Sequence, residues 1–407
     1  MNILQINNFH YVRGGSERYY FELSKLLETN GHKVANFSTK NPLNDESVYS
    51  NYFGQEVGFT SEYSLTDKIK MALGMLHSFS NDKLVSRIVR DHNIEIAHAH
   101  NIYGRVSPSV IHTLKKMKVP VVLTLHDYKI CCPIYTLYRN GEICTDCMTN
   151  GYLSVIKNRC TKGSISYSCL HWAEHTLHEA LGYYKHDVSL FLCPSKFLME
   201  MHAKAGISKN KLVHMPNFIN EQNYDPKFDN KGYILFVGRL SAEKGCLTLI
   251  KAVKGLDVQL KIVGDGPEGA NYRKFVHDEG ITNVVFEGYK KDDELRKIFQ
   301  ESMFMVIPSE WYENGPMSIL ESFAYGKPVI GSAYGGIPEM VLDGETGYLY
   351  EPRNHVDLSE KISFMLKNPN KVIEMGRKAR TLIEQKYSSS VHYSAIINVY
   401  NKLKNTK

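Results

Sequence analysis

The chain has 407 residues, 43% hydrophobic and 23% charged, with a formal net charge of +6. That length exceeds one typical domain, and the composition is that of a globular protein, so two α/β domains of about 200 residues each are expected. The mildly basic balance suits acidic ligands or an anionic membrane surface; no dense Lys/Arg block points to nucleic acid, and no apolar run reaches the roughly 18 residues of a membrane span.

The opening MNILQINNF reads as a short strand without a basic leader or cleavage site, so no signal peptide is expected and a cytoplasmic setting is the default. In that compartment the eight cysteines are thiols or metal ligands sooner than disulfides. Asn2–Ile6, Lys33–Phe37, Glu95–Ala99, Pro120–Leu125, Ser189–Cys193 and Lys211–Met215 read as buried strands. Glu17–Leu27 reads as a helix with Tyr20, Leu23, Leu26 and Leu27 on its apolar face. Between the first strand and that helix, Arg13-Gly14-Gly15-Ser16-Glu17-Arg18 offers a turn whose backbone N–H groups can approach a phosphate; Gly-Gly also makes ordinary turns. Thr66–Ser78 is basic and amphipathic, either a membrane-surface helix or one with its apolar face in the core. His126 follows the strand Pro120–Leu125, in a place that suits a structural histidine or one that meets a ligand.

A cysteine-bearing insert follows at about 131–170. Cys144 and Cys147 form a C-x2-C pair, and Cys132 and Cys160 bracket it at nearly equal distances. Four thiolates so spaced suit a tetrahedral structural zinc, with His171 or His175 able to replace one; free thiols are the alternative. The insert has few large apolar residues and needs some tie to stay ordered.

Residues 217–231 are polar, contain Pro226 and lack apolar periodicity, so they read as a linker between a first domain over 1–216 and a second over 232–387. The second half repeats the strand pattern at Tyr233–Val237, Gln259–Val263, Val284–Phe286, Phe304–Pro308 and Pro328–Ile330. Strands alternating with helices imply parallel sheets covered on both faces. Residues 388–407 read as a packed terminal helix.

The ligand edge of such sheets is the carboxyl end of the strands. There Tyr233–Val237 runs into GRLSAEKG, where Arg239 and Lys244 frame a loop suited to a diphosphate and to stabilising the charge of a departing nucleotide. IVGDGP, with Gly264, and FEGY, with Tyr289, end two further strands; they suit a nucleobase pocket or plain strand exits. No two aspartates form a DxD pair, so Arg239, Lys244 and helix N-termini would supply the positive charge for a diphosphate.

Glu310–Gly326, EWYENGPMSILESFAYG, holds two carboxylates in an E-x7-E pattern, Glu313 and Glu321. Pro316 suits the first position of a helix and Gly326 its end. The helix N-terminus is an anion site, and Glu321 would lie roughly 7–8 Å along the axis. A carboxylate at each end and N–H groups between match the sugar hydroxyls, diphosphate and ribose hydroxyls of a nucleotide-sugar; the alternative is two surface glutamates flanking an ordinary helix cap.

Together GGSER, GRLSAEKG, IVGDGP and ENGPMSILE, in this order across nearly the whole chain, resemble the retaining glycosyltransferase family 4 enzymes of the GT-B fold, the glycosyl transferases group 1. Glu313-Asn314-Gly315-Pro316 departs from the E-P-F-G of many members and leaves the donor sugar open. The resemblance implies an α/β chain of two Rossmann-like domains facing each other across a cleft, with the terminal helix crossing back to the first. It implies that Arg239 and Lys244 bind the diphosphate, Glu321 the ribose and Glu313 the transferred sugar. Backbone N–H groups of Gly315, Pro316-adjacent Met317 and Ser318 would hold sugar and β-phosphate, Gly15 would touch the phosphate, and His126 would stand beside the reacting sugar. The implied activity is metal-independent transfer, with retention, from a UDP- or GDP-sugar to a saccharide or polyprenyl-linked acceptor. Its implied setting is surface polysaccharide synthesis, in the cytoplasm or at the inner membrane face. A sugar-nucleotide epimerase or a non-catalytic nucleotide-sugar-binding protein are the rivals.

Overall fold

The computed structural model describes residues 1–56 and 64–405. They form two compact units: 1–137, 144–215 and 393–407 in the first, 138–143 and 216–392 in the second.

In the first unit the strands are β1 (Asn2–Ile6), β2 (Lys33–Phe37), β3 (Ile96–Ala99) and β4 (Val121–Thr124). The insert contributes a hairpin, β5 (Tyr138–Arg139) and β6 (Glu142–Ile143), which belongs to the second unit. The first sheet is completed by β7 (Leu190–Cys193) and β8 (Leu212–His214), in the all-parallel order β2-β1-β3-β4-β7-β8. Each strand lies within about two residues of the range read from its apolar run. A parallel sheet buried on both faces leaves such unbroken runs, which is why they were readable. The helix Gly15–Thr29 covers the expected one and starts at the Gly14-Gly15 turn.

The second sheet uses β9 (Tyr233–Val237), β10 (Gln259–Val263), β11 (Val284–Gly288), β12 (Met305–Ile307), β13 (Val329–Ser332) and β14 (Gly347–Tyr350), in the parallel order β11-β10-β9-β12-β13-β14. Its strands alternate between two cores. Ile234, Phe236 and Val306 enter one; Leu235, Met305 and Ile307 enter the other. Strand order reverses between β9 and β12, so the loops leaving those two strands flank the crevice where open α/β sheets bind ligands. They are the loops that carry Lys244 and Glu313.

Residues 217–231 are not a separate linker. Ile219 and Tyr224 are buried in the second unit's core, Lys227 N–H donates to Tyr325 O at 3.0 Å, and Arg380 Nη1 donates to Tyr224 O at 3.0 Å. Polar sequence misled here because the segment is tied down by backbone bonds more than by apolar periodicity. The terminal helix spans Ser389–Asn405, and from Tyr393 it belongs to the first unit; the last two residues of the expected 388–407 lie outside the described ones. Tyr400 is buried with its Oη 2.6 Å from His98 Nδ1, and Lys404 pairs with Glu95 at 2.5 Å.

The basic segment forms the helix Leu65–Leu76, followed by Phe79–Asp91. Met75 is buried, while Ile69 and Leu73 are 52% and 59% exposed and Phe79 is 73% exposed. Among the described residues no helix is long and apolar enough to cross a membrane.

Candidate active site

In the second unit, backbone bonds zip the strand-exit loops together. Gly238 N–H donates to Val263 O, Leu240 N–H to Asp265 O, Gly264 N–H to Gly288 O, and Glu310 N–H to Glu243 O. Two glycines permit the close approach. A Cβ on Gly264 (φ +134°) would lie 1.9 Å from Gly238 O, and one on Gly245 (φ +66°) would lie 1.9 Å from Pro308 O. Only glycine meets both the backbone angle and the contact. Gly264 thus shapes the edge by its backbone. Tyr289, beyond β11, is 75% exposed, which leaves its ring open to stacking.

The zipping brings Lys244 to Glu313. Lys244 Nζ lies 2.6 Å from Glu313 Oε1, which also accepts from Ser309 Oγ at 2.7 Å, and the ammonium sits 5.1 Å from the Trp311 ring centroid. Burial alone would raise the Glu313 carboxyl; the Lys244 charge and the hydrogen bonds from Lys244 and Ser309 outweigh it and hold the group below its ordinary value. Gly336 N–H donates to Glu313 O at 2.6 Å, fixing the loop from the β13 side. Arg239 is exposed, and its guanidinium makes no ion pair or hydrogen bond among the described residues. The loop therefore offers one committed cation and one uncommitted cation.

The helix after this loop is Met317–Ala324. Pro316 is its N-cap, with φ −65° and ψ 122°, one residue earlier than the expected first helical position. Its carbonyl accepts from Ile319 N–H at 3.1 Å, and no side chain caps the helix. Without a cap, the first-turn N–H groups and the helix dipole form an anion site. Met317 turns its side chain into the core, and Ser318 is half-buried. Asn217 Nδ2 donates to Gly315 O at 2.8 Å, pinning the approach to the helix. Glu321 is buried on this helix, and Gly326 ends it at φ +73°.

In the first unit, Gly15 is the first residue of its helix, with Gly14 as an extended N-cap that bears no side chain. Three histidines stack near the carboxyl ends of β3 and β4. His98 and His100 have centroids 4.5 Å apart, and His100 and His126 5.4 Å. His98 Nε2 lies 2.7 Å from Thr124 Oγ1, His100 Nε2 2.7 Å from Gln5 Oε1, and His100 Nδ1 3.1 Å from His126 Nε2. Burial pushes His126 down to about 3 and His100 well below its ordinary range, so both rings are neutral. With Gln5 Oε1 accepting, His100 carries its proton on Nε2, its Nδ1 accepts, and His126 donates from Nε2. His126 then keeps its lone pair on Nδ1. His98 and His100 sit two apart in HAH on one face of a strand; that period-two spacing was the available signal for the stack.

Asp127 and Tyr103 also escaped notice. Tyr103 Oη donates to Asp127 Oδ2, and Lys129 N–H donates to Oδ1 at 2.9 Å. Burial nevertheless raises Asp127 to about 6.

Of the four cysteines expected to hold zinc, Cys132 and Cys147 are hydrogen-bonded to each other, and Cys144 and Cys160 both act on Cys147 through their charge. Among the described residues no three His, Cys, Asp or Glu side chains are placed to hold a metal ion. A hydrogen bond with the Cys147 thiol lowers Cys132 to about 6 against burial, helped by the backbone N–H groups of Leu137, Ile134 and Thr136. The charges of Cys160 and Cys144 raise Cys147 further. His175 packs against Tyr152, with ring centroids 4.0 Å apart and tilted by 56°, and His171 turns to Glu174 at 3.5 Å. N–H···S bonds in the Cys132 turn and a buried Lys129–Glu174 ion pair of 2.7 Å tie the insert down.

A model of Glycosyltransferase Family 4 matches residues 13–223, and one of Glycosyl transferases group 1 matches residues 218–382. The chain is 24% identical over 398 residues to the N-acetyl-alpha-D-glucosaminyl L-malate synthase of Bacillus anthracis, covering 95% of this chain and 93% of the relative. It is 34% identical over 169 residues to a lipopolysaccharide 1,2-N-acetylglucosaminetransferase of Salmonella typhimurium, covering 38% of this chain and 44% of that one. The crystal structure of Anabaena HepE in complex with UDP-glucose matches it with a TM-score of 0.68 at 18% identity, over 99% of this chain and 100% of the other. With two parallel Rossmann-like sheets and that likeness in fold, the protein is an α/β chain of the GT-B type, and it belongs to glycosyltransferase family 4.

Proposed function

We propose that the protein transfers a sugar, with retention, from a UDP- or GDP-sugar to a saccharide or lipid-linked acceptor in surface polysaccharide synthesis. The observation that carries this reading is the Lys244–Glu313 contact beside the uncapped helix Met317–Ala324, with the uncommitted Arg239 in the same loop set. A diphosphate would draw Lys244 from Glu313 and engage Arg239 and the helix N–H groups, so no divalent cation is needed to hold it. Glu313, released, accepts from hydroxyls of the sugar, and Glu321 from the ribose. In the first unit, Gly15 N–H contacts the phosphate and His126 the transferred sugar. The anomeric C–O bond to phosphate breaks as the acceptor oxygen bonds to the same face, and the acceptor proton passes to the leaving phosphate oxygen. UDP-glucose in the HepE structure and the activity named for the Salmonella relative support the donor and the pathway class.

We also infer a cytoplasmic protein that rests on the inner membrane face through the helix Leu65–Leu76. Exposed Ile69 and Leu73, one turn apart, lie among exposed Lys68 and Lys70, the make-up of an interfacial helix. Co-sedimentation with anionic vesicles, lost in an Ile69→Ser/Leu73→Ser variant, tests it; equal sedimentation of both proteins refutes it.

The donor reading is tested by a thermal-shift screen of nucleotide-sugars, followed by transfer assays. A UDP- or GDP-sugar should raise the melting temperature, and Arg239→Ala should abolish the rise. No response to any nucleotide-sugar would defeat the reading. Binding without turnover over a broad acceptor panel would instead favour a non-catalytic binder.

A further inference from the structure

In the insert, Tyr135 is 44% exposed and sits at φ +60°, a backbone region where a bulky side chain is rare unless its surroundings hold it there. They do. Tyr135 N–H donates to Cys132 O at 2.8 Å, Tyr128 N–H donates to Tyr135 O at 3.2 Å, and three N–H groups of the same turn converge on the Cys132 sulfur. Lys129 Nζ, buried and paired with Glu174, donates to Pro133 O at 2.8 Å and so anchors the turn from beneath. What this framework holds at the surface is an aromatic ring.

That ring lies beside a second. Tyr103 and Tyr135 have centroids 5.6 Å apart, tilted by 32°, and Lys129 Nζ sits 5.1 Å from the Tyr103 ring centroid. The Tyr103 hydroxyl donates to Asp127, a half-buried residue. Next to it lies a cavity of about 20 Å³, room for about one water, lined by Tyr103, His126, Asp127, Lys129 and Tyr184 among others. Tyr184 is buried, and its hydroxyl has no hydrogen-bond partner among the described residues. The cavity has room for a single water or one polar group of a ligand beside that hydroxyl.

We propose that Tyr135, Tyr103 and Asp127 form a binding subsite for a saccharide, the acceptor of the transfer proposed above, on whose reading this inference rests. A pyranose presents a C–H face, which packs on an aromatic ring, and a rim of hydroxyls, which donate to a carboxylate. The insert supplies the ring and the strand exit supplies the carboxylate. The Cys132 turn is thereby part of acceptor recognition.

The test is saturation-transfer NMR on the full chain with four probes: methyl α-glucoside, methyl β-galactoside, methyl α-mannoside and methyl β-N-acetylglucosaminide. At least one should bind the unaltered protein. Tyr135→Ala and Asp127→Asn should each weaken that probe by about tenfold or more, and Tyr135→Phe should retain it. Circular dichroism and an unchanged melting temperature establish that the variants fold. Thermal shifts with UDP and GDP, measured in parallel, should be the same in every variant. Unchanged probe binding in both Tyr135→Ala and Asp127→Asn, or no probe bound by the unaltered protein, overturns the subsite. Loss of the donor reading shows differently, as nucleotide shifts that Arg239→Ala leaves intact.

Discussion

Lys244 Nζ and Glu313 Oε1, 2.6 Å apart, close the two loops that flank the strand-order reversal of the second unit. Glu313 is nearly covered, with 8% of its side chain exposed, whereas Lys244 keeps 26%. The pair is thus a buried carboxylate held by a cation that can turn toward a ligand. Lys244→Ala should cut transfer on the order of 100- to 1,000-fold, the scale of losing one preorganised group that stabilises developing charge. It should also cost about 1–3 kcal/mol of stability, because a buried acceptor loses its partner. The stability that the Glu313 interactions supply is full above the ordinary carboxylate range and is lost as pH falls through the depressed folded-state value. Steady-state kinetics and denaturant titration check both halves. Wild-type turnover in Lys244→Ala would remove the pair from the mechanism.

Asn217 acts at a distance from the chemistry. Its side-chain amide donates to Gly315 O at 2.8 Å, where the loop turns into the helix Met317–Ala324. Asn217→Ala should lower kcat/KM by about tenfold, the effect of losing about 1.4 kcal/mol of positioning, with a smaller change in melting temperature. Asn217→Asp, which keeps the shape but loses the donor, should behave like Asn217→Ala. If Asn217→Asp keeps full activity, the hydrogen bond is irrelevant to the loop.

The strands of both sheets were legible because burial on two faces writes an uninterrupted apolar run, as in Tyr233–Val237. The short β14, Gly347–Tyr350, was not, because it opens on a glycine and its Tyr348 and Leu349 are only half-buried, so no apolar run of strand length stands out. Lys244, Arg239 and Glu313 were legible as separate residues at strand exits. Their pairing was not, because nothing local to Glu313 states which cation the fold delivers. Asn217 was hidden in a stretch that looked like a linker. The cysteine spacing was legible as a set, but not the turn that aims the backbone N–H groups of Leu137, Ile134 and Thr136 at Cys132, because no side chain records it.

Acid should destabilise the protein early. His126 and His392 are pushed by burial to about 3, and His202 to about 4, from an ordinary value of 6.5. Each is neutral when folded and takes up a proton when unfolded, so between those values the unfolded state binds more protons and stability falls as pH falls. At pH 5 one such histidine costs about 2 kcal/mol. His392, stacked on Phe218 at 4.3 Å, is the cleanest probe because it lies apart from the proposed chemistry. Unfolding free energy measured from pH 7.5 to 5 should decline steeply, and His392→Phe should flatten the slope by one proton's worth. A slope identical to the parent protein would show that His392 is charged in the fold.

The last prediction concerns the route from Gln5 to His126. Gln5 Oε1 lies 2.7 Å from His100 Nε2, and His100 Nδ1 lies 3.1 Å from His126 Nε2. Because burial keeps both rings neutral, each can donate from one nitrogen only, and the order runs from His126 through His100 to Gln5. Gln5→Leu removes the terminal acceptor, and with it the contact that fixes the proton of His100 on Nε2. Nitrogen-15 NMR of the histidine side chains should show the lone pair of His126 on Nδ1 in the parent protein and a mixture of tautomers in Gln5→Leu. Transfer should fall by about tenfold, mostly in kcat, since an imidazole that presents a proton where a lone pair is required is misaligned for the reacting sugar and not for the nucleotide. A single, unchanged tautomer in Gln5→Leu would mean that His126 is oriented by some other contact, and the relay would be only a buried hydrogen-bond network.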